Sequence, residues 1–409
     1  NIANVSVSGN AIDYTLLDAE INAFNLLNSP TAFSLAATTT VTLDDQSEVT
    51  DFISDVTSNL LVVSGASQAV TVTNSGAGGV DITVAEANDI TANTGGTVTA
   101  TVSDGDLDTL TGLAARANAA LTVTVTDTAG TAAELNTVNA GTTQAVDASA
   151  VVTIESSTAS ALATLMTAAQ DNAQFTNTSF ADLTANGVTI TGGTSIDVTD
   201  LNNAISGVIT VASGTVDLVF SADNNTTTIN GGTATEFATT LLDNKTNNKV
   251  SFSGINLTVD SGGVTTAQAN NLTNATTGTV TASITTTERV DELKTLTAGS
   301  NAYTIVIAAD DATGSTAAEF NTINAATSVA IEASAVTGLA SDTASNIKTL
   351  LTAGNDTSQF SANSFSSLAT AVVSDTTLDV SDINDAVTCL LYTSPSPRDR
   401  QKCRFPSSA

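Results

Sequence analysis

Histidine and tryptophan are absent from this chain, and methionine occurs once, at Met166. Without histidine, the commonest general base and metal ligand is missing. Both cysteines, Cys389 and Cys403, stand near the C-terminus, so the rest of the chain offers no thiolate chemistry and no disulfide scaffold. Bases are scarce: 10 Lys and Arg face 41 Asp and Glu, a net charge of −31. Nucleic-acid binding rests on Lys and Arg neutralising phosphates, so this balance excludes it, and it disfavours anionic membranes equally. No apolar run reaches the roughly 20 residues that a membrane-spanning helix needs. The sequence opens at Asn1 without an initiator methionine, inside polar, strand-like sequence around Val5 and Val7, so no signal peptide is expected within it. That beginning is expected of a piece cut from a longer reading frame.

What is present is mostly Thr, Ala, Asn, Ser, Asp and Val. Apolar residues make up 41% of the 409, which is too many for a disordered polyelectrolyte, and charged ones only 12%. The composition predicts a folded chain with an acidic, Thr-rich surface. From about Thr388 the composition changes abruptly. Residues 388–409 contain both cysteines, Pro395, Pro397 and Pro406, and four bases (Arg398, Arg400, Lys402, Arg404) against one acid. The stretch Cys389–Asp399 resembles, codon for codon, the translation of a transposase sequencing adaptor. It is expected to be an artefactual, disordered tail and is set aside from fold reasoning. The remainder then holds 40 acids against 6 bases.

The rest of the chain repeats itself. Gly96-Thr97-Val98-Thr99-Ala100 returns as Gly278-Thr279-Val280-Thr281-Ala282. Thr131-Ala132-Ala133-Glu134-Leu135-Asn136 returns as Thr316-Ala317-Ala318-Glu319-Phe320-Asn321, at an offset three larger, with the extra residues near Asp310–Gly314. Asp197–Asn202 matches Asp379–Asn384 at the first offset again, and Ala85–Asn88 matches Ala267–Asn270. The division follows: 1–96 a partial copy, 97–278 a complete long repeat, 279–387 a truncated second one, and 388–409 the tail.

Within each copy, Val98, Ala100 and Val102 alternate with threonines, as do Leu121, Val123 and Val125; the second copy has Tyr303, Ile305 and Ile307. This period of two predicts half-buried strands with Thr outward. Ala159, Leu162, Leu165, Met166 and Ala169 share one face of a predicted helix capped by Ser157. Ala344, Ile347, Leu350 and Leu351 do the same behind Asp342. An Asn recurs beside apolar positions (Asn88, Asn136, Asn202, Asn321), and such periodic polar residues are expected to satisfy the repeat's own backbone groups. Strand starts near 97, 121, 145 and 195 suggest a unit of about 24–26 residues, with irregular insertions between 205 and 260. The expected fold is α/β, an elongated strand-plus-helix repeat solenoid with a parallel sheet; tandem all-β sandwiches are the alternative.

Chemistry is hard to place on such a chain. The glycine pairs lack a phosphate-binding context and read as turns. Only a carboxylate-pair glycosidase stays open, and without tryptophan platforms a non-enzyme is expected. Asp104, Asp106 and Asp108 are weak calcium candidates, and Asp44, Asp45, Glu48 and Asp51 form a second acidic cluster. Neither has the spacing of a known calcium loop, so a solvated acidic surface is the expectation and no cofactor is assigned. The units TAAELNTVNA, TAAEFNTINA and TGTVTA resemble those of giant cell-surface proteins of marine cyanobacteria and of large repeat adhesins. The resemblance implies secretion, a cell-surface location and a structural or adhesive spacer role in adhesion, motility or a surface layer. It also implies neighbouring repeats, other surface proteins or polysaccharide as partners, with no membrane insertion. The second function kept open is a carbohydrate-binding or carbohydrate-active solenoid.

Overall fold

The structure is a computed structural model that describes residues 5–7, 11–27, 32–36, 38–73, 80–185, 187–191, 195–213, 218–220, 228–237, 254–308 and 313–376, with Ser381 and Asn384. The 388–409 tail and much of the 205–260 stretch lie outside the described residues. The chain divides into two compact units: residues 1–192 with 200–221, and residues 193–199 with 222–409.

In the first unit the elements run β1 (Val5–Val7), β2 (Ala11–Asp13), α1 (Tyr14–Leu27), β3 (Phe33–Leu35), β4 (Thr40–Leu43), α2 (Gln46–Thr57), β5 (Leu61–Val62), β6 (Val70–Val72) and α3 (Val84–Asn93). They continue as β7 (Val98–Thr101), α4 (Leu107–Leu110), β8 (Ala119–Thr122), β9 (Ala129–Gly130), α5 (Ala132–Ala140), β10 (Thr153–Ser157), α6 (Ala159–Ala169) and β11 (Val188–Ile190). β12 (Ser195–Asp197) belongs to the second unit, and α7 (Val198–Val211) and β13 (Leu218–Phe220) follow it in the chain. The second unit then has β14 (Thr228–Thr233), β15 (Asn256–Ser261), α8 (Thr266–Ala275), β16 (Val280–Ser283), α9 (Val290–Leu293) and β17 (Ala302–Thr304). It ends with α10 (Ala317–Asn324), β18 (Gly338–Asp342), α11 (Ala344–Gly354) and β19 (Thr370–Val373).

The fold is mixed α/β, and every strand pair among the described residues is parallel. Parallel neighbours need a crossover, and helices supply many of them, so the all-β sandwich alternative is not what forms. Within each sheet the strands follow one another in chain order. The first unit has β1-β3-β5, β2-β4-β6-β7-β8 and β9-β10-β11-β13; the second has β12-β14-β15-β16-β17 and β18-β19.

Two expectations need correction. Each early turn of the chain carries two strands rather than one, because β1, β3 and β5 pair in one sheet while β2, β4 and β6 pair in another. The spacing is also less regular than a fixed unit: the chain from Val98 to its partner Ala119 is much shorter than the chain from Ile154 to its partner Val188. The helices and corners between strands differ in length, and a ladder fixes only which residues meet. At 145 there is no strand, only bridges from Val146 to Phe175 and from Thr124 to Asp147.

The alternating strands do point as their pattern requires. Val98 and Ala100 are buried while Thr99 is exposed, and Leu121, Val123 and Val125 are buried while Thr122, Thr124 and Thr126 are exposed. On α6, Ala159, Leu162, Leu165, Met166 and Ala169 are all buried; on α11, so are Ala344, Ile347, Leu350 and Leu351. Two aromatic corners close the core. Phe175 and Phe180 meet edge to face at 5.2 Å, and their counterparts in the second copy, Phe360 and Phe365, meet at 5.0 Å. Among the described residues no helix is long and apolar enough to cross a membrane.

Candidate functional site

Several of the acids singled out by the sequence, Asp45, Glu48, Asp104 and Asp106, bond to backbone amides within the fold. A helix leaves its first amides unsatisfied and carries partial positive charge there, so a carboxylate is favoured. Here the carboxylate often comes from the next stretch of chain. Asp104 accepts from the Val84 amide at the start of α3 at 2.7 Å, and Asp127 from Leu107 at the start of α4 at 2.6 Å. Glu48 accepts from Thr15 in α1 at 2.7 Å, and Glu288 from Thr266 in α8 at 3.0 Å. Asp375 accepts from Ala344 in α11 at 2.6 Å.

The helices' own caps sit one residue later than the sequence suggested. Thr158 caps α6 and Thr343 caps α11. Ser157 instead accepts from Ala132 in α5 at 2.8 Å, and Asp342 from Ala318 in α10 at 2.7 Å. A Thr at each N-cap already satisfies its own helix, which frees the preceding side chain to reach the neighbouring one. Thr83 with Glu86, Thr131 with Glu134, Thr265 with Gln268 and Thr316 with Glu319 complete capping boxes.

Asp104, Asp106 and Asp108 are not gathered around a common point. Asp104 faces α3, Asp106 caps α4 through the Thr109 amide at 2.9 Å, and Asp108 is exposed in the first turn of that helix. In the second cluster Asp45 caps α2, and Glu48 binds backbone amides of Asp44 and Thr15. Among the described residues no group of three or more Asp, Glu, His or Cys is arranged to hold a metal ion.

The recurring asparagines form a second set of links. Asn88 donates to the Gly112 carbonyl at 2.8 Å and accepts from the Ala114 amide at 2.8 Å. Asn270 repeats both bonds, to Thr295 at 2.9 Å and from Thr297 at 2.8 Å. Asn136 donates to Ala161 at 2.9 Å and Asn321 to Asn346 at 3.1 Å. These asparagines tie each helix to the backbone about 25 residues on, as the periodicity suggested.

The hydrogen bonds set the acidities. Burial pushes the Asp342 carboxyl up, but bonds from Asn346 and the Ala318 and Thr343 amides outweigh it and hold the group below the usual carboxylate range. Gln359 and Ser358 hold Asp356 at about 2. Asp55 goes the other way: burial raises it, its bond from the Tyr14 hydroxyl at 2.6 Å lowers it, and nearby Asp18 and Asp51 raise it again.

Two grooves that sequence reasoning missed lie along the helices. One, of about 560 Å³, lies along α5 and α6 and is lined by Asn136, Asn139, Ser160, Thr164, Thr167 and Gln174, with Asp200 and Asn203. The other, of about 500 Å³, lies along α10 and α11 and is lined by Asn321, Asn324, Ser345, Lys348, Thr349, Thr352 and Gln359. Asn136, Asn139, Ser160, Thr164, Thr167 and Gln174 of the first correspond position for position to Asn321, Asn324, Ser345, Thr349, Thr352 and Gln359 of the second. The signal was in the sequence, as Ser and Thr spaced along the helix face opposite the apolar one. Asn139 donates to Gln174 at 3.0 Å and Asn324 to Gln359 at 2.8 Å, so each groove holds a fixed amide pair. Among the described residues the grooves offer hydroxyls and amides, with the Asp200 carboxylate in the first and the Lys348 amine in the second. Comparison with protein-family models, curated proteins and solved structures found no match to this chain.

Proposed function

We propose that the chain is a stretch of a secreted, cell-surface repeat protein that serves as a structural or adhesive spacer and performs no catalysis. Its architecture in this reading is an elongated solenoid, in which each strand-and-helix turn stacks on the one before. The observation that carries it is the chain-order parallel pairing, reinforced by side chains that bond to the backbone of an adjoining turn. Such an array buries its apolar faces only between neighbours and can be extended without limit, which suits a spacer. The acidic surface keeps a long array soluble and apart from its copies. The lack of histidine, and of cysteine before residue 388, supports a role without acid–base or thiolate chemistry. Calcium would bind this surface only weakly and in a salt-screened way.

Small-angle scattering tests the architecture. A compact chain of this length would have a radius of gyration of about 22 Å. The spacer reading expects a markedly larger value, and a value near the compact one would overturn it. Antibody raised against the chain should label intact, unpermeabilised source cells; labelling only after permeabilisation would refute the surface location.

A further inference from the structure

We propose, independently of the spacer reading, that Asn230 is a self-modification site, where the Gly231 backbone nitrogen closes on the Asn230 side chain and converts it to aspartate and isoaspartate. Asn-Gly is the dipeptide that hinders this ring closure least, because glycine has no Cβ to crowd the attacking nitrogen. The chain has two such pairs, Asn186-Gly187 and Asn230-Gly231. A regular strand would protect the second, since its ladder engages the amides and fixes the backbone. β14 is not regular there. Ile229 pairs with Leu257 and Gly232 with Val259, so Asn230 and Gly231 together face Thr258 across a bulge. Gly231 has a φ of 83°, in the left-handed region that glycine enters freely.

Both halves of the reaction are assisted from the neighbouring strands. On one side, the Gly231 amide donates to Asp260 Oδ2 on β15 at 2.6 Å. A carboxylate in that place takes the amide proton as the nitrogen attacks. On the other side, the Ser195 hydroxyl on β12 donates to Asn230 Oδ1 at 2.7 Å. That bond polarises the side-chain carbonyl and stabilises the negative charge that develops on its oxygen. Base and donor thus flank β14 in the strand order β12-β14-β15. Ser195, Gly231 and Asp260 are exposed and Asn230 is half-buried, so water reaches the site. At the other pair, the Gly187 amide donates to the Thr184 backbone carbonyl at 2.8 Å, an acceptor that takes up no proton.

The conversion consumes only water. The Gly231 nitrogen bonds to Asn230 Cγ, its proton passes to Asp260, and Ser195 holds the Oδ1 anion. Collapse breaks the Cγ–Nδ2 bond. Asp260 returns the proton to the departing nitrogen, which leaves as ammonia, and a succinimide remains. Water then opens either carbonyl of the ring, giving aspartate or isoaspartate, with no oxidation or reduction. Isoaspartate adds a methylene to the backbone of β14, and both products put a negative charge on the rung where residue 230 faces Asp197. Conversion therefore loosens the β12–β14 pairing as the protein ages.

The test is peptide mass mapping of the full chain during incubation in neutral buffer, folded and, in parallel, unfolded in urea. The expected result is conversion of Asn230 about tenfold faster in the folded chain than in the unfolded one, with isoaspartate among the products. Asn186 should show no such acceleration. Asp260→Asn, which removes the base, should slow the folded reaction about tenfold, and Ser195→Ala should slow it several-fold. Both replaced residues are exposed, so both variants should keep the native circular dichroism; if one does not, the other carries the comparison. Neither variant should change the rate in urea, which separates the effect of the fold from that of the local sequence. Conversion of Asn230 no faster in the folded chain than in urea overturns the proposal. So does a folded rate unchanged in the variants, or equal acceleration at Asn186, which would make the effect a general one.

Discussion

At the scale of the residue, the acids that meet helix N-termini are structural. The position before each N-cap shows this directly, since Ser157 and Asp342 occupy equivalent positions in the two copies and both accept from an amide in the first turn of the neighbouring helix, Ala132 and Ala318. Asp342→Ser should therefore cost little, while Asp342→Ala should cost about 0.5–2 kcal/mol, the usual loss when a helix N-terminus loses its acceptor. The sign with pH follows from the depressed Asp342 carboxyl. Its contribution is present above the ordinary Asp pKa and is lost as pH falls through the lower, folded value. Chemical-denaturation curves near neutrality and in acid should show wild type losing more stability than Asp342→Ala on acidification. Equal losses would remove this carboxylate from the account.

The aromatic corners give a second residue-scale expectation. Phe180 and Phe365 are buried with φ of 62° and 56°, a region that bulky residues rarely occupy. The corner holds them there because each ring packs on a second Phe and Ser179 or Ser364 bonds across to the preceding turn. Phe180→Ala should destabilise the first unit by about 3–5 kcal/mol. A melt shifted no more than that of an exposed control would contradict the packing.

At the scale of the element, much of the pattern was legible. The Thr-alternating strands and the apolar stripe of α6 follow from periodicity alone, because burial on one face is a local demand. The asparagine links were legible as a repeat, although their partners lie on a different turn of the chain. Three features were not. Ser157 and Asp342 read as caps of the helix that follows them, since sequence shows proximity along the chain and the helix they reach lies before them. The second strand in each early turn is only two to three residues long, as in β3 and β5, and so short a run has no periodicity to detect. The grooves depend on which helices lie side by side, and that pairing brings together residues far apart in the chain. Glycine at the repeated Gly-Thr-Val-Thr-Ala has a similar cause. A Cβ at Gly96 would lie 2.5 Å from the Gln68 backbone, and one at Gly278 would lie 2.4 Å from the Ile255 carbonyl. Gly278→Ala should cost about 1–3 kcal/mol through overpacking against the previous turn. A thermal melt indistinguishable from wild type would show that the turns have slack.

At the scale of the whole molecule, the central claim is that stability is passed from turn to turn. Sheets whose strands pair in chain order, carboxylates that satisfy an adjoining helix and asparagines that bond to the backbone of the next turn all couple near neighbours. In such an array a local defect weakens the adjoining turns and fades with distance, whereas a single globular core shares the loss throughout. Native-state hydrogen exchange on the intact Asp104→Ala variant measures this most directly. The account predicts reduced protection in α3, α4 and the strands β7 and β8, with β10, α6 and β11 unchanged. Protection lost evenly from β2 through β11 would contradict it.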